Sequence, residues 1–101
     1  MRKNIKKIDD EFLDIFDSFI DLANKHSASS GYEKVSIAFL HAVARFNAFD
    51  VFASAADVEA FKSEKNTELE YFEDLYKKLL VEELNAFETN FDKYKKELRV
   101  N

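Results

Sequence analysis

The sequence predicts an all-α protein: a three-helix bundle with a long C-terminal helix. One basis is composition, because the 101 residues include no proline and a single glycine, Gly31, whereas the turns of antiparallel sheets need glycine, proline or asparagine-glycine pairs. The other is periodicity, because apolar residues recur at steps of three and four, as on one face of an α-helix. We therefore expect one helical domain over residues 1–101, with frayed ends at about 1–7 and 97–101.

The first helix is predicted to begin at Asp9 or Asp10, because either carboxylate can accept hydrogen bonds from the free N–H groups of a first turn. If Asp9 is the cap, Ile8 and Leu13 occupy the two positions of a hydrophobic staple. The apolar face of this helix comprises Ile8, Phe12, Ile15, Phe16, Phe19, Ile20 and Ala23. Residues 26–31 (HSASSG) are poor helix formers, so a loop is expected there.

Residues 32–52 form the most apolar stretch and are predicted to be the central helix. Ser30 and Glu33 have the spacing of a capping box, which would start this helix. On a helical wheel its apolar residues fall on two flanks separated by polar seams. One flank holds Val35, Phe39, Ala42, Phe46 and Phe49, and the other holds Ile37, Ala44, Ala48 and Val51. A surface helix has one apolar stripe, so two flanks predict a helix buried between two neighbours.

A tight turn is expected at about residues 53–56, followed by the C-terminal region. The pattern there allows either a short extra helix at about 57–64 or one continuous helix from residue 57, and the sequence leaves both open. From Leu69 onward, apolar residues continue at steps of three and four as far as Leu98. This spacing predicts a helix of ~30 residues, or ~45 Å.

A first helix of ~18 residues is too short to cover a helix of this length. The uncovered face would hold Phe87, Phe91, Tyr94 and Leu98, and an exposed apolar patch usually marks an interface. We therefore predict a homodimer, the commonest arrangement for a small helical chain, and a separate protein partner stays open. The alternative is that the helix ends or bends near residues 89–90 and folds back, which would leave a monomer.

The composition argues against several functions and locations. The net charge of −5 argues against nucleic-acid binding, which depends on neutralising phosphates. The absence of cysteine removes disulfides, thiolate nucleophiles and cysteine metal sites. The basic start MRKNIKK is not followed by the apolar segment of a secretion signal. His41, Arg45, Asn47 and Asp50 interrupt the central helix at what would be membrane depth. We therefore expect a cytoplasmic protein that does not bind a membrane.

The candidate chemistry lies on the polar seams of the central helix. His41 and Arg45 are one turn apart, and Asn47 lies on the opposite seam. One hypothesis is that Arg45, with His41 or Asn47, binds an anion or carboxylate ligand. The alternative is an ion pair between Arg45 and an acidic residue of the long helix, as is usual for arginine in a helical core. His26 and His41 show no metal-ligand spacing, and no acid–base pair or nucleophile can be placed, so we expect no metal, no cofactor and no enzymatic activity.

Several short segments are similar to a known family. They are KVSIA at 34–38, AVARFNAF at 42–49, YF at 71–72, YKKL at 76–79 and NFDKY at 90–94. Through these segments the chain from Phe12 to Tyr94 resembles domain of unknown function 3144, a family of short bacterial proteins. The resemblance implies a small, all-helical, cytosolic bacterial protein and supplies no catalytic residues. Our functional prediction is a non-enzymatic protein-interaction module, with ligand binding at the polar seam as the alternative.

Overall fold

The computed structural model of the chain describes residues 8–100, with the backbone alone for Val100. Every regular element in this range is a helix: α1 Asp10–Ser30, α2 Tyr32–Ser54, α3 Val58–Thr89 and α4 Phe91–Val100. The predicted all-α fold with a long helix in its C-terminal half is confirmed. The frayed end predicted at 1–7 lies outside the described residues, and at the other end α4 is helical as far as Val100.

The contacts within the chain divide it into two compact units, Met1–Asp57 and Val58–Asn101. The first unit contains α1 and α2, and the second contains α3 and α4. Each unit is a pair of consecutive helices. The expectation of a single domain stays a prediction.

Helix α1 begins where the sequence predicts. Asp9 has an extended backbone, and its Oδ1 atom accepts a hydrogen bond from the Phe12 N–H group at 2.9 Å. The Asp9 carbonyl accepts a further bond from the Leu13 N–H group at 3.0 Å. Asp10 and Glu11 place negative charge in the first turn, where the helix dipole favours it. Asp9 is therefore confirmed as the N-cap.

The loop predicted at residues 26–31 is wrong, because α1 continues through this segment to Ser30. Serine is a weak helix former because its hydroxyl competes for backbone groups. Here the Ser27 hydroxyl donates to the Ala23 carbonyl, one turn earlier in the same helix, at 2.8 Å. That bond satisfies the hydroxyl without breaking the helix. The propensity of the segment therefore predicted the end of α1 about one turn too early.

A single residue, Gly31, separates α1 from α2. Its backbone has φ 88° and ψ 156°, a region open almost only to glycine. The Gly31 N–H group donates to the Ser27 carbonyl at 2.9 Å. Gly31 is also the N-cap of α2, and no side chain caps that end. The capping box predicted from Ser30 and Glu33 is therefore wrong, since Ser30 still belongs to α1.

Helices α1 and α2 pack against each other beside Gly31. The half-buried residues Ala23 and Ser27 precede Gly31 by eight and four positions, and the half-buried Val35 and Phe39 follow it by four and eight. The side chains that α1 contributes to this contact are small, and small side chains let helix axes come close. On each of the two helices, half-buried residues therefore lie within about two turns of Gly31. We call α1, Gly31 and α2 together the α1–α2 hairpin.

The prediction that α2 is buried on both flanks is wrong for the single chain. Val51, which is 8% exposed, is the one buried residue among those that the structure describes. On one flank Phe46 and Phe49 are 68% and 55% exposed, and on the other Ile37 is 54% exposed. Within its unit α2 has one neighbouring helix, α1. A single neighbour covers only part of the circumference of a helix, so two apolar flanks are not both buried.

Helix α3 answers the question that the sequence left open. It is one helix of 32 residues, Val58–Thr89, so residues 57–64 do not form a separate helix and the continuous alternative is confirmed. The turn before it spans residues 55–57, close to the predicted 53–56. A single residue, Asn90, separates α3 from α4, so the helix predicted to continue to Leu98 is interrupted at the position that the alternative gave for an end or a bend.

Asn90 interrupts the helix without reversing the chain. The Asn90 N–H group donates to the Ala86 carbonyl at 3.1 Å, and the Tyr94 N–H group donates to the Asn90 carbonyl at 3.0 Å. Both bonds span four residues, as in an α-helix. The side-chain Nδ2 of Asn90 also donates to the Ala86 carbonyl at 3.1 Å. Helix α4 therefore continues the course of α3 and does not fold back on it.

Candidate functional site

The apolar residues of α3 and α4 form a stripe along one side of these helices. We define the α3–α4 stripe as Leu69, Phe72, Tyr76, Leu80, Leu84, Phe87, Phe91, Tyr94 and Leu98. The stripe makes eight steps over 29 residues, a mean step of about 3.6 residues, which is the period of a straight α-helix. A strict heptad repeat drifts around such a helix, whereas this stripe stays on one side for ~40 Å.

The C-terminal part of the stripe lines a shallow groove. The groove has a volume of about 390 Å³ and is lined by Phe87, Phe91, Tyr94, Lys95, Glu97 and Leu98. The centroids of the Phe87 and Tyr94 rings lie 5.1 Å apart, although the residues are two helical turns apart, so the two side chains lean together across Asn90. The Lys95 ammonium lies 5.5 Å from the centre of the Phe91 ring, a cation–π distance.

The structure therefore brings together all four residues predicted as an interface, and their role stays a prediction. Leu84, Phe87 and Phe91 are 59%, 54% and 55% exposed. Burying one such side chain fully is favourable by ~1.5–3 kcal/mol. A contiguous exposed patch of this kind marks an interaction surface in soluble proteins. The α3–α4 stripe is therefore the first candidate site.

The α1–α2 hairpin carries a second apolar surface, which the sequence reasoning missed. The two helix faces that meet beside Gly31 continue away from the turn as phenylalanines. We call them the hairpin face: Phe12, Phe16, Phe19, Phe46 and Phe49, which are 42–68% exposed. The rings of Phe46 and Phe49 contact each other with centroids 6.2 Å apart. Periodicity places both rings on a core flank, but it does not show which part of a flank is covered within the chain.

The three residues predicted as a ligand site, His41, Arg45 and Asn47, all lie on α2. His41 and Arg45 are exposed and stand one turn apart on one side of the helix. Asn47 is half-buried and follows Arg45 by two residues, which places it ~200° further around the helix. Helix α2 therefore does not bring Arg45 and Asn47 to one side, and none of the three lines the groove in the second unit.

Polar chemistry is sparse in the part of the chain that the structure describes. Within it, no group of three or more histidine, aspartate or glutamate side chains is placed to hold a metal ion. His26 and His41 are both exposed, on α1 and α2. Lys62 and Glu59 form an ion pair at 3.6 Å with both side chains largely exposed, and surface pairs of this kind contribute little to stability. The apolar surfaces are therefore the main chemical feature of residues 8–100.

Helix α2 is long and apolar enough, by length and composition alone, to cross a membrane. Its 18-residue window has a mean hydropathy of 1.3, and 6% of that window is buried. One such helix is weak evidence for a membrane location, because a signal sequence and the mostly buried core helix of a soluble protein pass the same test. Arg45 and Asp50 lie inside the apolar stretch, and each costs ~2.5–3.5 kcal/mol at the centre of a membrane helix.

Comparison with known proteins supports the resemblance seen in the sequence. Residues 12–94 match the sequence model of a family described as "Protein of unknown function (DUF3144)". This match covers the segments at 34–38, 42–49 and 90–94. No curated protein and no solved structure matches the chain significantly.

Proposed function

We propose that this chain, which belongs to the DUF3144 family of proteins of unknown function, is a non-enzymatic protein-interaction module that acts as a homodimer in the bacterial cytoplasm. The supporting observation is the exposure of aromatic side chains on two defined surfaces, the α3–α4 stripe and the hairpin face. A helix must bury its apolar side against another element to be stable. Both surfaces present such apolar sides uncovered within the chain.

Charge favours a protein partner over a membrane. The residues beside the stripe on α3 are mainly acidic, and they include Glu70, Glu73, Glu83 and Glu88. The cytoplasmic surface of a membrane is negatively charged and repels such a helix. A protein surface can instead offer lysine and arginine side chains to these carboxylates. We therefore infer that the α3 part of the stripe contacts protein rather than a membrane surface.

Exposed aromatic side chains, rather than converging polar groups, lead us to infer a non-enzymatic role. The groove beside Phe87 and Phe91 is shallow and mostly apolar in its lining. Such a surface supplies contact area and shape, which protein interfaces use through buried aromatic anchors. Acid–base catalysis instead needs a titratable group within hydrogen-bond reach of a bound substrate.

Sedimentation velocity over a range from low to high micromolar protein tests the proposal. We expect a dimer for the unaltered chain. Phe91→Ala should weaken the dimer at least ~10-fold, since buried aromatic anchors dominate interface energies. The matched control is Val81→Ala, because Val81 is also exposed (46%) but lies ~100° around α3 from Leu80 and outside the stripe.

Circular dichroism of each variant checks that the helices are retained. A monomer at high micromolar concentration would contradict the homodimer. Equal weakening by Phe91→Ala and Val81→Ala would show that the effect on association does not arise at the stripe. Flotation of the unaltered chain with vesicles of anionic phospholipid would contradict the assignment to a protein partner and favour a membrane through α2.

A further inference from the structure

The spacing and the flanking charges of the α3–α4 stripe specify how a second copy would lie on it. We propose that two copies pair their α3–α4 stripes antiparallel, about a two-fold axis close to Leu84. This inference rests on the proposed function, because it requires the chain to associate with itself. It adds the orientation of the helices, their register and the charged contacts that select both.

The stripe has nearly the same spacing when it is followed from either end. With Leu84 facing its own copy, the other members form four apolar pairs: Leu69 with Leu98, Phe72 with Tyr94, Tyr76 with Phe91, and Leu80 with Phe87. In each pair the two residues are level to within one position, or ~1.5 Å along the helix. Antiparallel pairing therefore gives every member of the stripe an apolar side chain opposite it.

The charges along one edge of the stripe complement one another in this register. This edge consists of Glu70, Glu73, Lys77, Glu88, Lys95 and Arg99. In an antiparallel pair, each edge faces the same edge of the other copy. Glutamates then fall opposite cations to within two positions, or ~3 Å, in three pairs: Glu73 with Lys95, Glu70 with Arg99, and Glu88 with Lys77. The two-fold axis repeats each pair, so every charge on this edge meets the opposite charge.

The other edge of the stripe carries two conflicts. Glu83 lies beside the axis and faces its own copy, and Glu68 falls opposite Glu97. These contacts lie at the rim of the pair, as the complementary contacts do, and salt screens both kinds. The two conflicts weaken the antiparallel pair but do not outnumber its complementary contacts.

The same charges disfavour a parallel pair. In a parallel pair, the first edge of one copy faces the other edge of the second copy. A residue then lies opposite the residue about five positions away in the sequence. Glu68 would then face Glu73, and Glu83 would face Glu88. Lys95 would face the uncharged Asn90. Two like-charged contacts form against one contact of opposite charges, between Lys65 and Glu70, and the axis doubles all three. Repulsive contacts therefore outnumber attractive ones in the parallel pair, whereas attractive contacts predominate in the antiparallel pair, so charge complementarity selects the antiparallel arrangement.

Spin labels on the full chain test the orientation, and the absence of cysteine makes each introduced thiol unique. Asp74→Cys, Asn85→Cys and Lys96→Cys place labels at exposed positions, all on the side of the helix opposite the stripe. In the antiparallel pair, the two copies of the label are separated along the helix by about 28 Å at position 74, about 5 Å at 85 and about 38 Å at 96. In a parallel pair, all three positions give the same separation.

Pulsed dipolar spectroscopy reads these distances, and sedimentation of the labelled proteins confirms their association. A short distance at position 85 with longer ones at 74 and 96 supports the proposal. Equal distances in a sedimenting dimer would overturn the orientation and leave the interaction module standing. A dimer whose distance at 85 exceeds that at 74 would place the interface elsewhere. Monomers without dipolar coupling would overturn the homodimer as well.

A charge exchange tests the register without labels. Glu73→Lys and Lys95→Glu should each weaken the dimer about tenfold, because each replaces two attractive contacts by two repulsive ones. The double variant should return to within about twofold of the unaltered chain, and added salt should reduce all of these differences. Glu82→Lys, on the far side of α3, is the matched control for a change of net charge. Failure of the double variant to recover would refute the register, since in a parallel pair these residues lie ~33 Å apart.

Discussion

Gly31 is the single residue between α1 and α2. Its replacement by alanine tests whether the α1–α2 hairpin depends on a backbone conformation that favours glycine. The backbone at this residue has φ 88° and ψ 156°, where an L side chain costs ~1–3 kcal/mol. An added Cβ would meet nothing within 4 Å, so contact with neighbouring groups adds nothing to that cost. Alanine also restricts the conformations of the unfolded chain, which raises the free energy of unfolding by ~0.4–1 kcal/mol. We therefore expect Gly31→Ala to lower the free energy of unfolding by about 1–2 kcal/mol.

Thermal and urea unfolding followed by circular dichroism measure this change. All proteins must be compared at one concentration, because the stability of a dimer depends on it. For a chain of this size the loss corresponds to a fall in Tm of roughly 5–15 °C. The matched control is Ser30→Ala, one residue earlier and exposed, which should change stability by less than ~0.5 kcal/mol.

A second variant separates backbone strain from any other effect of a methyl group. D-alanine at position 31, introduced by chemical synthesis, accepts positive φ without strain and keeps the effect on the unfolded chain. It should therefore raise stability by ~0.4–1 kcal/mol. The reasoning fails if Gly31→Ala leaves stability unchanged, or if L-alanine and D-alanine have the same effect. A loss of ~1 kcal/mol for Ser30→Ala would instead restore the capping box.

Three further substitutions test local features of the fold. Asp9→Ala should lower the free energy of unfolding in urea by ~1 kcal/mol, because it removes the hydrogen bond to the first turn of α1. The control Asp10→Ala should cost less, and equal losses would argue against Asp9 as the cap. Val51→Ala should cost ~1–2 kcal/mol in the same assay, because Val51 is buried. The control Val43→Ala, at a site that is 39% exposed, should cost less than half as much. A larger loss for Val43→Ala would contradict the burial of Val51. Asn90→Ala should raise the helical signal in circular dichroism by joining α3 to α4, since alanine is the better helix former. A lower signal would show that the hydrogen bond from the Asn90 side chain to the Ala86 carbonyl stabilises the helix more than the higher helix propensity of alanine does.

Features decided by one side chain and its immediate neighbours were predictable from the sequence. Asp9 caps α1 because a carboxylate before an apolar helical pattern has few better partners than the free N–H groups beside it. The break beside Thr89 and Asn90 was anticipated only as the alternative to one continuous helix; both residues are weaker helix formers than those around them. The helical period also identified the four aromatic and leucine residues at the end of the stripe, because their spacing needs no knowledge of other elements.

Features that depend on a choice between two local partners were not predictable in the same way. The Ser27 hydroxyl can bond to its own helix or compete with it, and in the structure it bonds to the Ala23 carbonyl and α1 continues. Burial that depends on a distant part of the chain or on another molecule is still harder to predict from the sequence. Phe46 has the spacing of a core residue but is 68% exposed, because periodicity shows that a face needs covering and not which molecule covers it. The hairpin face was missed for this reason.

The mean step of the α3–α4 stripe limits how the length of this segment can vary among members of the family. Inserting one residue between Phe72 and Phe91 would rotate everything beyond it by ~100° and divide the stripe between two sides of the helix. Seven or eleven residues, two or three turns, would turn it by only ~20° and keep it on one side. Relatives with a longer or shorter C-terminal helix should therefore differ in whole turns, and a tolerated single-residue insertion would show that the aromatic side chains need not be aligned.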